Sequence, residues 1–357
     1  MSSSNDASPD GVLVYGATGY SGGRVTHALL QLGIRPVLCA RDSARTKAAA
    51  DALRLAHRVA QVHDAASVVA ALENVSVVIN AAGPFSHTAA PLVQACLERR
   101  IDYLDLCAEV PVLERLASLH ATARARGVMI MPAVGFDVVP TDSLAAHLAR
   151  RFRGGHALTL AVSRPAFLSP GSARTLLENV DLGLARRGGV VRALRLGSIE
   201  RTFDFGAGAR PCLNVSFADI VTAWHTTGIP NITTFAEATP WLRLLPMGLA
   251  LAPWLRTSTG TTLGQLLADA VWRDPPGNVD PGQVSMTVVA EIEDTAGRRG
   301  RARLTTGEAY DFTGTAAATI AARVLIGDRE PGFQTPARLL GPDFVLALPG
   351  VSRCDVE

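Results

Sequence analysis

Through the first 150 residues, short runs of apolar, β-branched residues alternate with longer stretches in which apolar positions recur every three or four residues. Val12-Leu13-Val14-Tyr15 reads as a buried strand, and an amphipathic helix follows from Gly23 to Leu32. Pro36 to Ala40 and Arg58 to Val62 read as the next strands, with a helix from Ala65 to Glu73 behind the second of them. Val75 to Asn80 is the clearest strand pattern in the chain. Further strands are expected at Tyr103–Leu106 and Val128–Met131, separated by helices near Thr88–Arg99 and Val112–Ala125. Strands alternating with helices of this length predict right-handed βαβ units and a parallel sheet covered on both faces. The expectation is a doubly wound α/β domain over residues 11–150, preceded by a loose polar tail at residues 1–10.

The pattern changes after Arg151. His156–Ser163, Val284–Glu293 and Arg299–Thr305 read as strands without helices strictly between them, while Ser172–Arg186 and Ala316–Leu325 read as helices. Asp294-Thr295-Ala296-Gly297 is a turn sequence, so the strands beside it are expected to form an antiparallel hairpin. Residues 151–315 therefore read as an α+β domain for substrate and dimerisation, with 316–357 returning to the first domain. The Pro/Gly-rich stretch Asp274–Gly282 reads as a loop, and no internal repeat is visible.

Composition narrows the chemistry. With 357 residues, of which 48% are hydrophobic and 18% charged, the chain can bury two cores and is not disordered. A formal charge of +2 gives no reason to expect nucleic acid as a partner. There is a single lysine, Lys47, and Ser43 stands four residues before it. Chemistry that needs a lysine must use Lys47 or be abandoned, which argues against Schiff-base chemistry and Walker-type phosphate binding, and a Y-x-x-x-K dehydrogenase site is excluded. Five dispersed cysteines without a C-x-x-C pair read as reduced thiols of a cytoplasmic protein, and eight histidines form no H-E-x-x-H motif, so no metal is expected. Met1–Asp10 shows no signal-peptide pattern. The longest uncharged apolar run, Leu244–Leu255, includes Pro246 and Pro253 and falls short of the roughly 20 residues a membrane span needs.

Gly16-Ala17-Thr18-Gly19-Tyr20-Ser21-Gly22 follows the first strand and opens the first helix. Glycines at this spacing let the backbone turn tightly and approach a pyrophosphate held on helix N–H groups, the arrangement of a Rossmann-type fold. At the end of the second strand stand Ala40, Arg41, Asp42 and Ser43. The Arg41 fork and the Ser43 hydroxyl suit a 2′-phosphate and favour NADPH over NADH, whereas Asp42 could hold a ribose hydroxyl instead. Arg45 and Lys47 read as a solvated helix face. Small residues in Ala81-Ala82-Gly83-Pro84-Phe85, after the strand ending at Asn80, leave room for the ribose and nicotinamide. Asp64 is placed either to meet the adenine amino group or to cap the helix beginning at Ala65.

The segments GATGYSGG, Ala40-Arg41, VVINAAGPF, HTAAPLVQACLERRIDYLDLCAE and PAVGFDVVPTD resemble the saccharopine dehydrogenase-like (saccharopine reductase-like) NADP-binding family. Pro331-Gly332-Phe333-Gln334-Thr335-Pro336-Ala337 resembles that family's tail. The resemblance implies an NADPH-dependent oxidoreductase with a second domain that builds a substrate cleft and a homodimer contact. The family includes saccharopine reductase and trans-acting enoyl reductases of polyketide lipid assembly. Ala108, before Glu109, departs from the glycine the family places there, and residues 165–280 carry no recognisable motif.

Hydride transfer leaves a proton to be supplied. Tyr103, Glu109, Asp137 and His87 are the candidate donors. Asp105 and Asp137 could equally tie loops to backbone N–H groups, His87 could simply start a helix, and Cys107 reads as a buried thiol. Trp224, His225, Phe235, Trp241 and the run Leu244–Leu255 could line an apolar tunnel, pack as core, or dock a membrane or partner. Arg164, Arg174 and Arg201 could hold an acidic substrate. The expected function is reduction of a C=C or C=N bond in a mostly apolar small molecule, free or carrier-bound, within secondary metabolism. A saccharopine-type amino-acid dehydrogenase and a non-catalytic NADP-binding sensor or lipid-associated protein are the alternatives.

Overall fold

A computed structural model of the protein describes residues 11–163, 183–239, 242 and 285–356. In chain order the first elements are β1 (Val12–Tyr15), α1 (Tyr20–Gln31), β2 (Val37–Ala40), α2 (Ser43–Leu53), β3 (His57–Val59) and α3 (Ala65–Ala71). They are followed by β4 (Val77–Asn80), α4 (Phe85–Arg99), β5 (Asp102–Asp105), α5 (Val110–Ser118), α6 (His120–Arg126), β6 (Met129–Met131) and α7 (Val139–Arg151). Next come β7 (Gly155–Val162), β8 (Leu184–Arg187), β9 (Val190–Ala193), β10 (Glu200–Asp204), β11 (Ala209–Val215), α8 (Asp219–Thr227) and β12 (Asn231–Glu237). The chain closes with β13 (Met286–Asp294), β14 (Arg299–Thr306), α9 (Ala309–Leu325), β15 (Gly332–Phe333), α10 (Pro336–Leu340) and β16 (Ser352–Val356). The described residues form two compact units. One is drawn from those up to Cys107 with Glu114–Gly135 and Thr313–Gln334, the other from Ala108–Leu113, Phe136–Phe312 and Thr335–Glu357.

The first unit is built on a parallel sheet in the order β15-β6-β5-β4-β1-β2-β3. Its central strands read VLVY, VLCA and VVIN and are buried throughout, as strands covered on both faces must be. The strand order reverses between β1 and β4, which opens a crevice at their carboxyl ends. Asp102 at the head of β5 ties the far side together. Its Oδ1 accepts Met129 N–H (2.7 Å) and Arg329 Nη2 (2.7 Å), and Arg329 also donates to Gly127 O (2.5 Å).

The helix expected over Val112–Ala125 is interrupted at Leu119. There Leu119 N–H bonds back only three residues, to Leu116 O (3.1 Å), and Ser118 Oγ donates to Arg115 O (2.6 Å). The hairpin expected at residues 294–297 is present: Asp294 Oδ1 accepts the N–H groups of Ala296 and Arg298 (2.9 Å each), and β13 pairs antiparallel with β14.

The second unit carries a mixed sheet in the order β10-β11-β12-β7-β13-β14-β16, with β8 and β9 as a hairpin beside β12. Helix α7 lies against β13 and β14, and α8 against β12. The sheet folds back on itself. Arg201 of β10 donates to Glu291 Oε2 on β13 (2.6 Å), although three strands separate β10 from β13 in the pairing order. Its guanidinium lies over the rings of Phe203 and Phe235, 5.0 and 5.8 Å from their centroids. The helix expected over Ser172–Arg186 is corrected where it can be seen. Residues 184–186 belong to strand β8, because Gly188 and Gly189 both adopt positive φ (57° and 79°) and turn the chain into β9 as a hairpin. Residues 172–182 of that segment, with Trp241, Arg164, Leu244–Leu255 and Asp274–Gly282, lie outside the described residues.

Within the second unit, the motifs P-T-D and T-P-A prove to be one device. Asp142 of α7 is fully buried, and its Oδ1 accepts Thr226 Oγ1 (2.5 Å) while Oδ2 accepts Ala337 N–H (2.9 Å). Thr335 Oγ1 lies 2.5 Å from Thr226 Oγ1 and completes the knot. Helix α10 thus has an orphan N–H group satisfied by a distant carboxylate. Burial raises the Asp142 carboxyl to about 6, against the lowering effect of its hydrogen bonds.

Candidate dinucleotide site

The glycine loop joins β1 to α1 at the sheet's crevice. Gly16 N–H donates to Cys39 O (2.7 Å) and Gly19 N–H to Gly16 O (2.9 Å), so the loop folds tightly against the end of β2. Gly16 has φ +81°, and a Cβ there would stand 2.8 Å from Ala82 Cβ. At Gly22 a Cβ would stand 2.2 Å from Gly16 O. Neither position admits a side chain. Gly19, the N-cap of α1, offers no side-chain cap, so the first-turn N–H groups of the helix are left for an anionic ligand. A pyrophosphate fits this cradle.

At the end of β2 the structure separates residues that look equivalent in sequence. Asp42 is the N-cap of α2, and its Oδ1 accepts Arg45 N–H (3.0 Å). That carboxylate is engaged in capping. Lys47 is paired with Asp51 at 2.5 Å. Ala40 is buried at the strand end, and Arg41 and Ser43 are exposed beside it. Among the described residues Arg41 forms no ion pair. Asp64 caps α3, accepting from Ala66 N–H (3.1 Å) and Ser67 N–H (3.2 Å).

The segment 81–85 is held by Asn80, a residue whose role was hidden in sequence by its place at the end of an apolar run. Asn80 is fully buried; its Nδ2 donates to Thr88 Oγ1 (3.1 Å) and Tyr103 Oη (3.0 Å), and its Oδ1 accepts Ala82 N–H (3.0 Å). Thr88 Oγ1 in turn donates to Ala82 O (2.7 Å). Ala81 N–H donates to Tyr15 O (2.8 Å), and Gly83–Pro84 is cis. Phe85 starts α4, and His87 is exposed in its first turn. The signal that marks Asn80 is a carboxamide in a strand that is otherwise entirely apolar.

The candidate proton donors differ sharply in setting. Tyr103 is 0% exposed, and desolvation, reinforced by Asp105, raises its hydroxyl well above the ordinary range. Asp105 Oδ1 accepts Cys107 N–H (2.8 Å) and Ala133 N–H (2.9 Å), which makes it a loop tie. Glu109 is buried, and its backbone carbonyl accepts the Val112 and Leu113 N–H groups at the head of α5. Asp137 is exposed to solvent. Desolvation lifts its carboxyl toward about 6. Cys107 is buried, and burial pushes the Cys39 and Cys212 thiols up to about 12, so these are not nucleophiles. In the second unit Phe235 is core, and Trp224 stacks on Arg186 at 5.3 Å.

A doubly wound parallel sheet with such a loop at its switch point defines a dinucleotide-binding unit. Residues 12–131 match the family model described as saccharopine dehydrogenase NADP binding domain. A trans-acting enoyl reductase of Mycobacterium ulcerans (strain Agy99) is 35% identical over 148 residues, covering 39% of this chain and 35% of that protein. The Mycobacterium leprae (strain TN) protein of the same name is 33% identical over 148 residues, with the same shares. The matched stretch thus spans about a third of the length of these curated relatives. Apo saccharopine dehydrogenase (L-Glu forming) from Saccharomyces cerevisiae shares the fold, with a TM-score of 0.65 and 14% identity over 97% of this chain and 100% of that one. Among the described residues no helix is long and apolar enough to cross a membrane.

Proposed function

We propose that this protein is an NADPH-dependent reductase acting on a conjugated C=C bond of a mostly apolar acyl substrate, free or carrier-bound. The observation that carries the cofactor reading is the uncapped N-terminus of α1 beside Arg41, with Asp42 already committed to capping α2. The choice of C=C over C=N rests on the likeness to proteins named trans-acting enoyl reductases. Bound NADPH would supply the hydride. The chain's own contribution is to fix the dinucleotide through the 16–21 loop and Arg41, and to hold residues 81–85 in place through Asn80. A proton is then needed at the neighbouring carbon. Asp137 is the donor we assign, because it meets solvent and its carboxyl lies near 6, close to the working range of a general acid. Tyr103 is enclosed in the sheet and already engaged with Asn80.

Calorimetric titration with NADPH and NADH, followed by turnover with medium-chain enoyl thioesters, tests this reading. We expect NADPH to bind at least tenfold tighter than NADH and to be consumed with the thioester. Binding of neither nucleotide would sink the proposal. For Asp137 the sign is set by its role as an acid: kcat is highest below pH 6 and falls as pH rises through it, and Asp137→Asn flattens the profile. An unchanged profile in Asp137→Asn would remove that residue from the mechanism.

A further inference from the structure

Arg45 lines a cleft of about 360 Å³ together with Thr18 and Gly19 of the phosphate loop and Gly23 of α1. Ala48 and Ala49 line the same cleft from α2. They stand three and four residues after Arg45, so all three lie on one helix face, turned toward the loop. The alanines make the room, and a Cβ on Gly23 would meet nothing within 4 Å. The Asp42 cap fixes the first turn of α2 that carries Arg45, while Lys47 is held by Asp51. Among the described residues the Arg45 side chain forms no ion pair. A guanidinium with no carboxylate partner, in the same cleft as the phosphate loop and in the first turn of the helix that follows Arg41 in the chain, is suited to a dianion.

We propose that Arg45 and Arg41 together form a two-cation clamp for the cofactor 2′-phosphate, so that selectivity between the two nicotinamide cofactors is divided between them. This rests on the NADPH reading given above. It revises what sequence alone implies, namely that Arg45 is simply a solvated helix residue.

The test is equilibrium binding of NADPH, NADH, adenosine 2′,5′-bisphosphate and adenosine 5′-monophosphate to the full chain and to Arg45→Ala, Arg45→Lys, Arg41→Ala, the double alanine variant and Lys47→Ala. Thermal transitions are matched beforehand. Arg45→Ala is expected to weaken NADPH and the bisphosphate about tenfold, the scale of one charge-assisted phosphate contact, and to leave NADH and the monophosphate within about twofold. Arg45→Lys recovers part of the loss. The double variant loses less than the product of the single losses, because both groups serve one phosphate. Lys47→Ala changes nothing. If wild type prefers NADPH and Arg45→Ala keeps that preference, the clamp is refuted while the cofactor reading stands. Equal losses for NADPH and NADH also refute it. Absence of binding to wild type refutes the cofactor reading itself, and the clamp with it.

Discussion

Asp142→Asn should stabilise the protein at neutral pH, although it removes a buried residue from a three-part hydrogen-bonded knot. In the wild type the Asp142 carboxyl is raised from 3.8 to about 6, chiefly by desolvation. A group that binds its proton more tightly when folded makes stability fall as pH rises from the unfolded value toward the folded one. Moving a carboxyl from 3.8 to about 6 corresponds to about 3 kcal/mol, present as added stability below pH 4 and lost above pH 6. Asparagine is neutral and nearly isosteric. Its Oδ1 accepts Ala337 N–H, and its Nδ2 donates to Thr226 Oγ1, which turns its own proton to Thr335 Oγ1 at 2.5 Å. The gain at pH 7.5 is therefore expected at about 1–3 kcal/mol, or roughly 2–10 °C in the melting temperature of a unit of this size. It should shrink to about half at pH 5, where folding must still draw a proton from solution, and vanish below pH 4, where the carboxyl is protonated in both states. Asp142→Ala leaves the Ala337 N–H without an acceptor, which costs about 1–3 kcal/mol, seen in full only below pH 4, where the wild type draws no proton on folding. Thermal and urea unfolding of the three proteins at pH 3.5, 5 and 7.5 would measure this. An Asp142→Asn variant less stable than wild type at pH 7.5 by more than about 1 kcal/mol would refute the reasoning. The Asp142→Asn variant should still keep part of the wild-type acid stabilisation, since burial raises Asp219 in the same direction.

Further outcomes follow from the cradle and its supports. Arg41→Ala should weaken NADPH by about 10–100-fold and NADH by less than about twofold, as read by calorimetry. Gly22→Ala should abolish nucleotide binding and lower stability by about 1–3 kcal/mol, because its Cβ would strike Gly16 O, whereas Gly23→Ala should keep binding and melt no lower than wild type. Asn80→Ala strands buried groups on Ala82 and Tyr103 and should cost about 2–4 kcal/mol in unfolding experiments, with weaker NADPH binding. Of the five thiols, Cys354 is the exposed one and should react promptly with a disulfide reagent in the native protein, while the other four wait for unfolding.

The apolar runs at 12–15, 37–40 and 77–80, punctuated by Gly16, Gly19 and Gly22, determined the parallel sheet, the helix order and the phosphate loop. These are local signals: strand burial shows as continuous hydrophobicity, and a tight turn shows as glycine at fixed spacing. The exclusion of a Y-x-x-x-K site was equally complete, because it needs only the position of the single lysine and the residue four before it. Tertiary structure decided what each polar residue near that frame is for. Asp42 and Asp64 proved to be helix caps, Asp105 a loop tie, and Asp142 the acceptor for a helix nearly two hundred residues away. Nothing in their neighbouring sequence could show this, since a carboxylate's role depends on which donors folding brings within 3 Å. The same holds for Asn80, whose partners lie on other elements, and for Arg45, whose meaning comes from the cleft it shares with the phosphate loop. Backbone periodicity is written in the order of residues, whereas the pairing of polar groups is written only in their contacts.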